Sequence, residues 1–261
     1  MLPPETIDAL AAELADAHRR RSVVPRITAR HPQATIEDSY AVQSAWCRTR
    51  LAEGHRLTGR KIGLTSKAMQ SATGITEPDY GVILDDTVWE NGAVVDFDAF
   101  SNVRLEVEIA FLLDTPLEGP HCTLFDVLDA TRYVVPALEI LNSHIELEGR
   151  TIVDTIADNA AYGGIVVGGS PTRPHAVDLR WISALLHRNE NVEESGVAAA
   201  VLGHPARAVA WLANKLHQHG GRLGAGELVL AGSFTRPIWI SRGDVVLCDY
   251  GPMGTISCRF R

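Results

Sequence analysis

One run of residues restricts the fold of this chain more than any other: Val103-Arg-Leu-Glu-Val-Glu-Ile-Ala-Phe-Leu-Leu113. Val103, Leu105, Val107 and Ile109 alternate with Arg104, Glu106 and Glu108. A β-strand places the two sets on opposite faces, whereas a helix would splay Glu106 and Glu108 apart by roughly 200°. A second apolar run, Tyr133-Val-Val-Pro-Ala-Leu-Glu-Ile-Leu141, holds a third carboxylate, Glu139. Pattern alone leaves two readings open. Either the polar faces of two strands meet water, or the three acids converge. Buried acids without partners shift toward the neutral form, and a divalent cation reverses this by holding them ionised. An all-oxygen donor set with no neighbouring Cys or His suits a hard ion, Mg²⁺ or Mn²⁺, rather than zinc. Three carboxylates leave about three of six octahedral positions for water or a chelating substrate.

Composition removes several classes. Apolar content of 46% with 21% charged residues is that of a soluble globular protein. A formal charge of -8 argues against a nucleic-acid or anionic-membrane partner. Cys47, Cys122, Cys248 and Cys258 show no CxxC spacing, so scattered reduced thiols and a cytoplasmic location are expected. The Met-Leu-Pro-Pro-Glu-Thr start has neither a basic nor an apolar signal region, and no apolar run approaches ~18 residues.

Residues 5–21 form the first expected helix, amphipathic through Ile7, Leu10, Ala11, Leu14 and Ala15 and basic at its end. A second starts at Thr35-Ile-Glu-Asp38, a capping-box variant, and runs to about Ala52. Residues 1–58 are thus expected to form a helical N-terminal section, and 59–261 a catalytic domain. In the latter, short strands are expected near 81–84, 92–97, 103–113, 133–141, 163–167, 226–231, 244–250 and 254–260. Two helices interrupt them, near 123–130 and at 205–217, the second opened by Pro205 and stopped by Gly220-Gly221. This order predicts an α+β fold with a mainly β, mixed-sheet roll or sandwich core.

Gly54-His-Arg-Leu-Thr-Gly59-Arg-Lys61 lacks phosphate-loop spacing, and GxGxxG, GxSxG and HExxH are absent. Lys61, ahead of an apolar-glycine turn, is either a surface residue or a pocket base whose pKa burial and a nearby metal would lower. Asp154-Thr-Ile-Ala-Asp158-Asn159 supplies acids and an amide, or only a turn. His204 stands near a helix N-cap, and His144 with Glu146 reads as a loop. Arg236, at the end of an apolar strand, could grip a carboxylate bidentately or stay a surface charge.

In chain order these pieces resemble the hydratase/decarboxylase branch of the fumarylacetoacetate hydrolase superfamily. The matching segments are Gly59-Arg-Lys-Ile-Gly-Leu-Thr-Ser66, Pro78-Asp-Tyr-Gly81, Arg104-Leu-Glu-Val-Glu-Ile-Ala110, Pro136-Ala-Leu-Glu139, Asp154-Thr-Ile-Ala-Asp-Asn159, Leu202-Gly-His-Pro205 and Trp211-Leu-Ala-Asn-Lys-Leu216. Ile62-Gly-Leu-Thr-Ser-Lys-Ala-Met-Gln70, Asp178-Leu-Arg-Trp-Ile-Ser-Ala-Leu185 and Gly232-Ser-Phe-Thr-Arg-Pro237 carry a closer similarity to members that hydrate a seven-carbon diacid. The resemblance implies Mg²⁺ or Mn²⁺ on Glu106, Glu108 and Glu139, a small anionic 2-oxo or 2-hydroxy acid as substrate, and a homo-oligomer. It implies Lys61 and Asp79 as catalytic groups. Leu64, Thr65, Ser66, Asp158, Asn159, Ser233 and Arg236 would contact substrate or water, with Arg236 on the far carboxylate. The segment 142–150 is shorter than the resemblance leads one to expect, so it is a second place for chain-length selection. The expected activity is hydration of a 2-hydroxy-2,4-dienoate or its 2-oxo-enoate tautomer in aromatic meta-cleavage catabolism. Rival readings are a 2-oxo-3-enedioate decarboxylase, a five-carbon hydratase, a non-catalytic partner subunit, and a metal-binding acid carrier.

Overall fold

In the computed structural model, residues 1–67, 70 and 75–261 are described. Ala68 and Met69, part of the closer sequence match, lie outside the described residues. Helices α1 (Pro4–Arg20), α2 (Ile27–Arg30) and α3 (Ile36–Ala52) open the chain. The expected capping box at α3 is formed: Thr35 Oγ1 accepts from Asp38 N, and Asp38 accepts from Thr35 N. The buried stripe of α1, Ile7, Leu10, Ala11, Leu14 and Ala15, packs with Val42, Ala45 and Trp46 of α3. The same cluster takes in Val82, Leu84 and Ala157, so the helices rest against the flank of the β structure.

The strands are β1 (Leu57–Gly63), β2 (Asp79–Leu84), β3 (Val88–Glu90), β4 (Ala93–Val95), β5 (Arg104–Leu113), β6 (Thr131–Leu141), β7 (Tyr162–Val167), β8 (Ser183–Arg188), β9 (Asn191–Val197), β10 (Leu228–Leu230), β11 (Ile238–Trp239), β12 (Val245–Asp249) and β13 (Thr255–Phe260). Among the described residues three α-helices interrupt them: α4 (Leu124–Ala130), α5 (Ile152–Ala157) and α6 (Pro205–His217). One sheet runs β2-β1-β10-β5-β6-β7-β3, with β11 on the end of β5, and the other runs β4-β13-β12-β8-β9. The first is mixed, because β1–β10 and β3–β7 are parallel and the rest antiparallel. This is the expected α+β architecture.

The alternation in β5 does what its period requires. Leu105, Val107, Ile109 and Phe111 are fully buried in the main core with Leu138, Ile140, Val246 and Ile256, while Arg104, Glu106 and Glu108 share the other face. Tyr250 ties the layers together: its hydroxyl hydrogen is shared between the Ala137 carbonyl at 2.6 Å and the Glu108 carbonyl at 2.9 Å.

Three local expectations change. Lys61 lies within a strand absent from those expected, β1, because its segment is zipped between β2 and β10. Residues 152–157 are helical: Thr151 and Asp154 form a capping box, and Asp154 also accepts from the Thr28 backbone and hydroxyl. Strands β8 and β9 went unread because their exposed faces blur the alternation. Among the described residues no helix is long and apolar enough to cross a membrane.

Candidate metal centre and active site

The antiparallel register sets Glu106 of β5 directly opposite Glu139 of β6 and Glu108 opposite Ala137. Facing residues on one side of such a ladder have Cβ atoms about 5 Å apart. Oxygen atoms of Glu106, Glu108 and Glu139 accordingly all fall within 4.8 Å of one another. Glu108 and Glu139 are buried and Glu106 half-buried. Burial raises all three carboxyl pKa values; repulsion from the neighbouring acids adds to the rise at Glu106, to about 7, and at Glu108, whereas at Glu139 Lys61 opposes it.

Lys61 enters from the neighbouring part of the sheet. Its ammonium, almost fully buried, lies 3.3 Å from Glu139 Oε1 and donates to the Ala160 carbonyl at 3.0 Å. That carbonyl is aimed by a left-handed turn, with Asn159, Ala160 and Ala161 at φ 48°, 53° and 56°. Burial pulls the Lys61 pKa down, but Glu139, Asp79, Glu108 and Glu106 together raise it above the ordinary value. The expected lowering is therefore not what the protein groups alone produce, since four carboxylates hold Lys61 charged.

Asp79 Oδ1 is buried without a hydrogen-bond partner, and burial raises this carboxyl pKa against the pull of Lys61 and Arg150. A Cβ on Gly63 would stand 2.1 Å from Asp79 Oδ1 and 3.2 Å from Lys61 Nζ, so only glycine lets these groups close over the strand end. Gly232, at φ +112°, donates its N–H to Glu108 Oε2 at 2.8 Å, and its missing side chain makes room for Thr65.

The remaining predicted residues divide. Leu64, at φ 56°, and buried Thr65 stand at the end of β1, and Ser66 bridges to Val201. Thr65 abuts Gly232 and so approaches Glu108. Asp158 and Asn159 are spent on structure. Asp158 accepts from the His144 backbone at 2.6 Å, His144 Nδ1 at 2.9 Å and Ser143 Oγ at 3.0 Å. The Asn159 amide accepts from Val82 N and donates to Val82 O. The Ser233 hydroxyl closes its own turn by donating to Thr235 O. Arg236 is not brought to the carboxylates: it is 82% exposed and its guanidinium pairs with Glu194 at 2.7 Å. Strand β9 supplies that acid, and nothing in the local sequence announces it.

Sequence reading misses the Ala160 carbonyl, the Gly232 N–H, and the pairing of His144 with Asp158, although His144 does lie in the expected loop. Such partners leave no periodic signal. A second acidic group, His55, Asp85 and Asp86, lies nearer the surface, where Arg50 and Arg56 already pair with its acids.

The carboxylate trio fits a divalent cation. Glu108 Oε1 and both Glu139 oxygens are buried without hydrogen-bond partners, a costly state for acids that a dication converts into a ligand set. All donors are oxygen, as a hard ion requires.

No protein-family model matches the chain. A 2-oxo-hept-4-ene-1,7-dioate hydratase of Escherichia coli is 51% identical, over 100% of both chains. A structure of 4-oxalocrotonate decarboxylase from Pseudomonas putida G7, complexed with magnesium and adipate, superposes with a TM-score of 0.98 at 34% identity, covering 100% of this chain and 99% of that one. Fumarylpyruvate hydrolase of Pseudomonas aeruginosa, complexed with Mn²⁺ and pyruvate, shares the fold at TM-score 0.61 and 15% identity, over 77% of this chain and 88% of that one.

Proposed function

The chain belongs to the hydratase/decarboxylase branch of the fumarylacetoacetate hydrolase superfamily, and from that membership we infer its reaction. It is a metal-dependent hydratase, a carbon–oxygen lyase that adds water to a 2-hydroxy-2,4-dienoate through its 2-oxo-enoate tautomer. The substrate is the seven-carbon diacid, 2-oxohept-4-ene-1,7-dioate, of aromatic meta-cleavage catabolism. Full-length similarity to a hydratase of that compound carries the reading. Adipate in the decarboxylase structure supports a site of this shape that accepts a dicarboxylate.

Glu106, Glu108 and Glu139 would hold the ion, Mg²⁺ or Mn²⁺. When bound, that ion supplies Lewis-acid polarisation of the substrate's C1 carboxylate and C2 oxygen. Lys61 has three N–H donors; Ala160 O takes one and the Glu139 contact is an ion pair rather than a hydrogen bond, which leaves a donor for the C2 oxygen. This donor stabilises negative charge on that oxygen as the dienol becomes the enone. Asp79, buried with an open Oδ1, is positioned to exchange the proton that moves between the 2-hydroxyl and the carbon chain. Water then adds to the carbon β to the enone carbonyl, and a proton returns to the α carbon. Asp158 and Asn159 act by building the turn that presents Ala160 O to Lys61. The protein works in the cytoplasm as a homo-oligomer. Exposed Leu185, Val245 and Leu247 on the paired strands β8 and β12 support an apolar contact between copies.

A decarboxylase would use the same groups, and the near-identical fold of the 4-oxalocrotonate enzyme favours keeping it as the rival. The deciding experiment incubates the protein and Mg²⁺ with freshly prepared 2-hydroxydienoates and 2-oxo-3-enedioates and identifies products by mass. Gain of water by the seven-carbon dienoate is the expected result. Loss of CO₂ from the enedioate with no hydration would replace the hydratase by its rival.

A further inference from the structure

Arg104 and Arg150 approach the candidate site from two sides, and neither has a part in the chemistry above. Arg104 lies on the same face of β5 as Glu106 and Glu108. Its Nε and Nη2 are buried without hydrogen-bond partners, an expensive state for an ion, and the guanidinium is held 5.4 Å from the centroid of the Trp239 ring. Arg150 ends the segment that follows β6. Its Nη1 donates to Ser143 Oγ at 2.8 Å, and Ser143 is itself within hydrogen-bond reach of Asp158. Among the described residues neither guanidinium has a carboxylate within 4.0 Å.

The strand ladder brings the two near each other: Arg104 faces Leu141 across it, and Ser143, two residues beyond Leu141 and bonded to Asn102, holds the Arg150 guanidinium. Burial lowers the Arg104 pKa, the Arg150 charge lowers it further, and Glu106 and Glu139 oppose the shift. Burial also lowers the Arg150 pKa, against Asp158 and Asp79. One arginine thus flanks the Glu106–Glu139 pair along β5, and the other stands just beyond the end of β6. Two desolvated like charges, one with unsatisfied donors, call for an anion between them. Arg104 lies two residues along the strand from Glu106, about 7 Å. That span is comparable to an extended seven-carbon chain whose near end sits at the carboxylate trio.

We propose that Arg104 and Arg150 form the anion subsite that receives the far carboxylate of the substrate, making them the residues that select a diacid over a monoacid. The proposal rests on the diacid reading above, and it assigns to these two arginines the role the sequence suggested for Arg236. Trp239 fixes the plane of Arg104, and Ser143 fixes Arg150.

The test separates binding from turnover. The Mg²⁺-loaded protein is titrated calorimetrically with 2-oxoheptanedioate and 2-oxopentanoate, saturated acids that share the C1–C2 end and have no double bond to hydrate. The parent should favour the diacid. Arg104→Ala and Arg150→Ala should each reduce the diacid-to-monoacid affinity ratio by about 10- to 100-fold, as loss of a charge-assisted bond predicts. Monoacid affinity in each variant reports whether the site is still assembled. Arg104→Lys, which fills the same space but lacks the planar fork, should lie between parent and alanine variant. An unchanged ratio in Arg104→Ala and Arg150→Ala, or a fall confined to Arg236→Ala, overturns the subsite, as does a parent with no diacid preference. A parent that shows the expected ratios but hydrates no dienoate supports the subsite while defeating the hydratase reading.

Discussion

Glu106 and Glu139 face each other directly across the β5–β6 ladder, two like charges in the position where a sheet tolerates them least. Glu108, next on the same face of β5, completes the group. A fold that keeps this arrangement buried needs a compensating positive charge, and Lys61 provides one charge for three acids.

A divalent ion should therefore bind here, with affinity depending on all three acids. Glu139→Gln preserves shape and one neutral oxygen, so it isolates the effect of charge. Calorimetric titration with Mg²⁺ should show a sharp loss of affinity in each single variant. Parent-like binding by the triple glutamine variant would make the cluster purely structural.

Lys61→Met should cut turnover by roughly 10²–10⁴-fold, the usual contribution of a positioned acid/base group. The diagnostic is the split between kcat and KM. A raised KM at parental kcat would assign Lys61 to substrate binding alone.

Gly63→Ala should impair turnover more than an exposed-turn substitution, because the new methyl would meet Asp79 Oδ1 at 2.1 Å. Asp79 or Lys61 must shift, and the effect should appear mainly in kcat. Full activity in this variant would remove Asp79 from the reacting groups.

Tyr250→Phe should lower stability by about 1–3 kcal/mol, since it strips a buried donor from the Ala137 and Glu108 carbonyls. The denaturation midpoint in urea measures this. No shift would mean that the sheet relaxes to recover those bonds.

Stability should also fall in mild acid through His18. Burial first, then the His144 and Arg50 charges, lowers its pKa to about 4. The unfolded chain takes up a proton near pH 6.5 and the folded one only near pH 4, so stability drops across that window as pH falls and levels off below it. His18→Leu should flatten that slope in urea midpoints measured from pH 7 to pH 4. An unchanged slope would place the acid sensitivity elsewhere.

Local sequence determined the elements whose signals are periodic or capped. The alternation of 103–113 settled β5 and put Glu106 and Glu108 on one face, because a strand's side-chain direction repeats every two residues. Thr35 with Asp38, and Pro205 behind His204, marked helix starts through bonds that span only a few residues. Tertiary structure alone decided the rest. Register brought Glu139 opposite Glu106, and a turn 99 residues away delivered the Ala160 carbonyl to Lys61. Asp158, Asn159 and Ser233 looked like free polar groups until distant or turn-internal partners consumed them. Arg236 and Arg104 show the same limit from both sides. Each is an arginine on or beside an apolar strand, yet one finds Glu194 at the surface while the other keeps buried donors unsatisfied beside the acids. Periodicity fixes the face a side chain points from, but only the pairing of distant strands fixes what it meets.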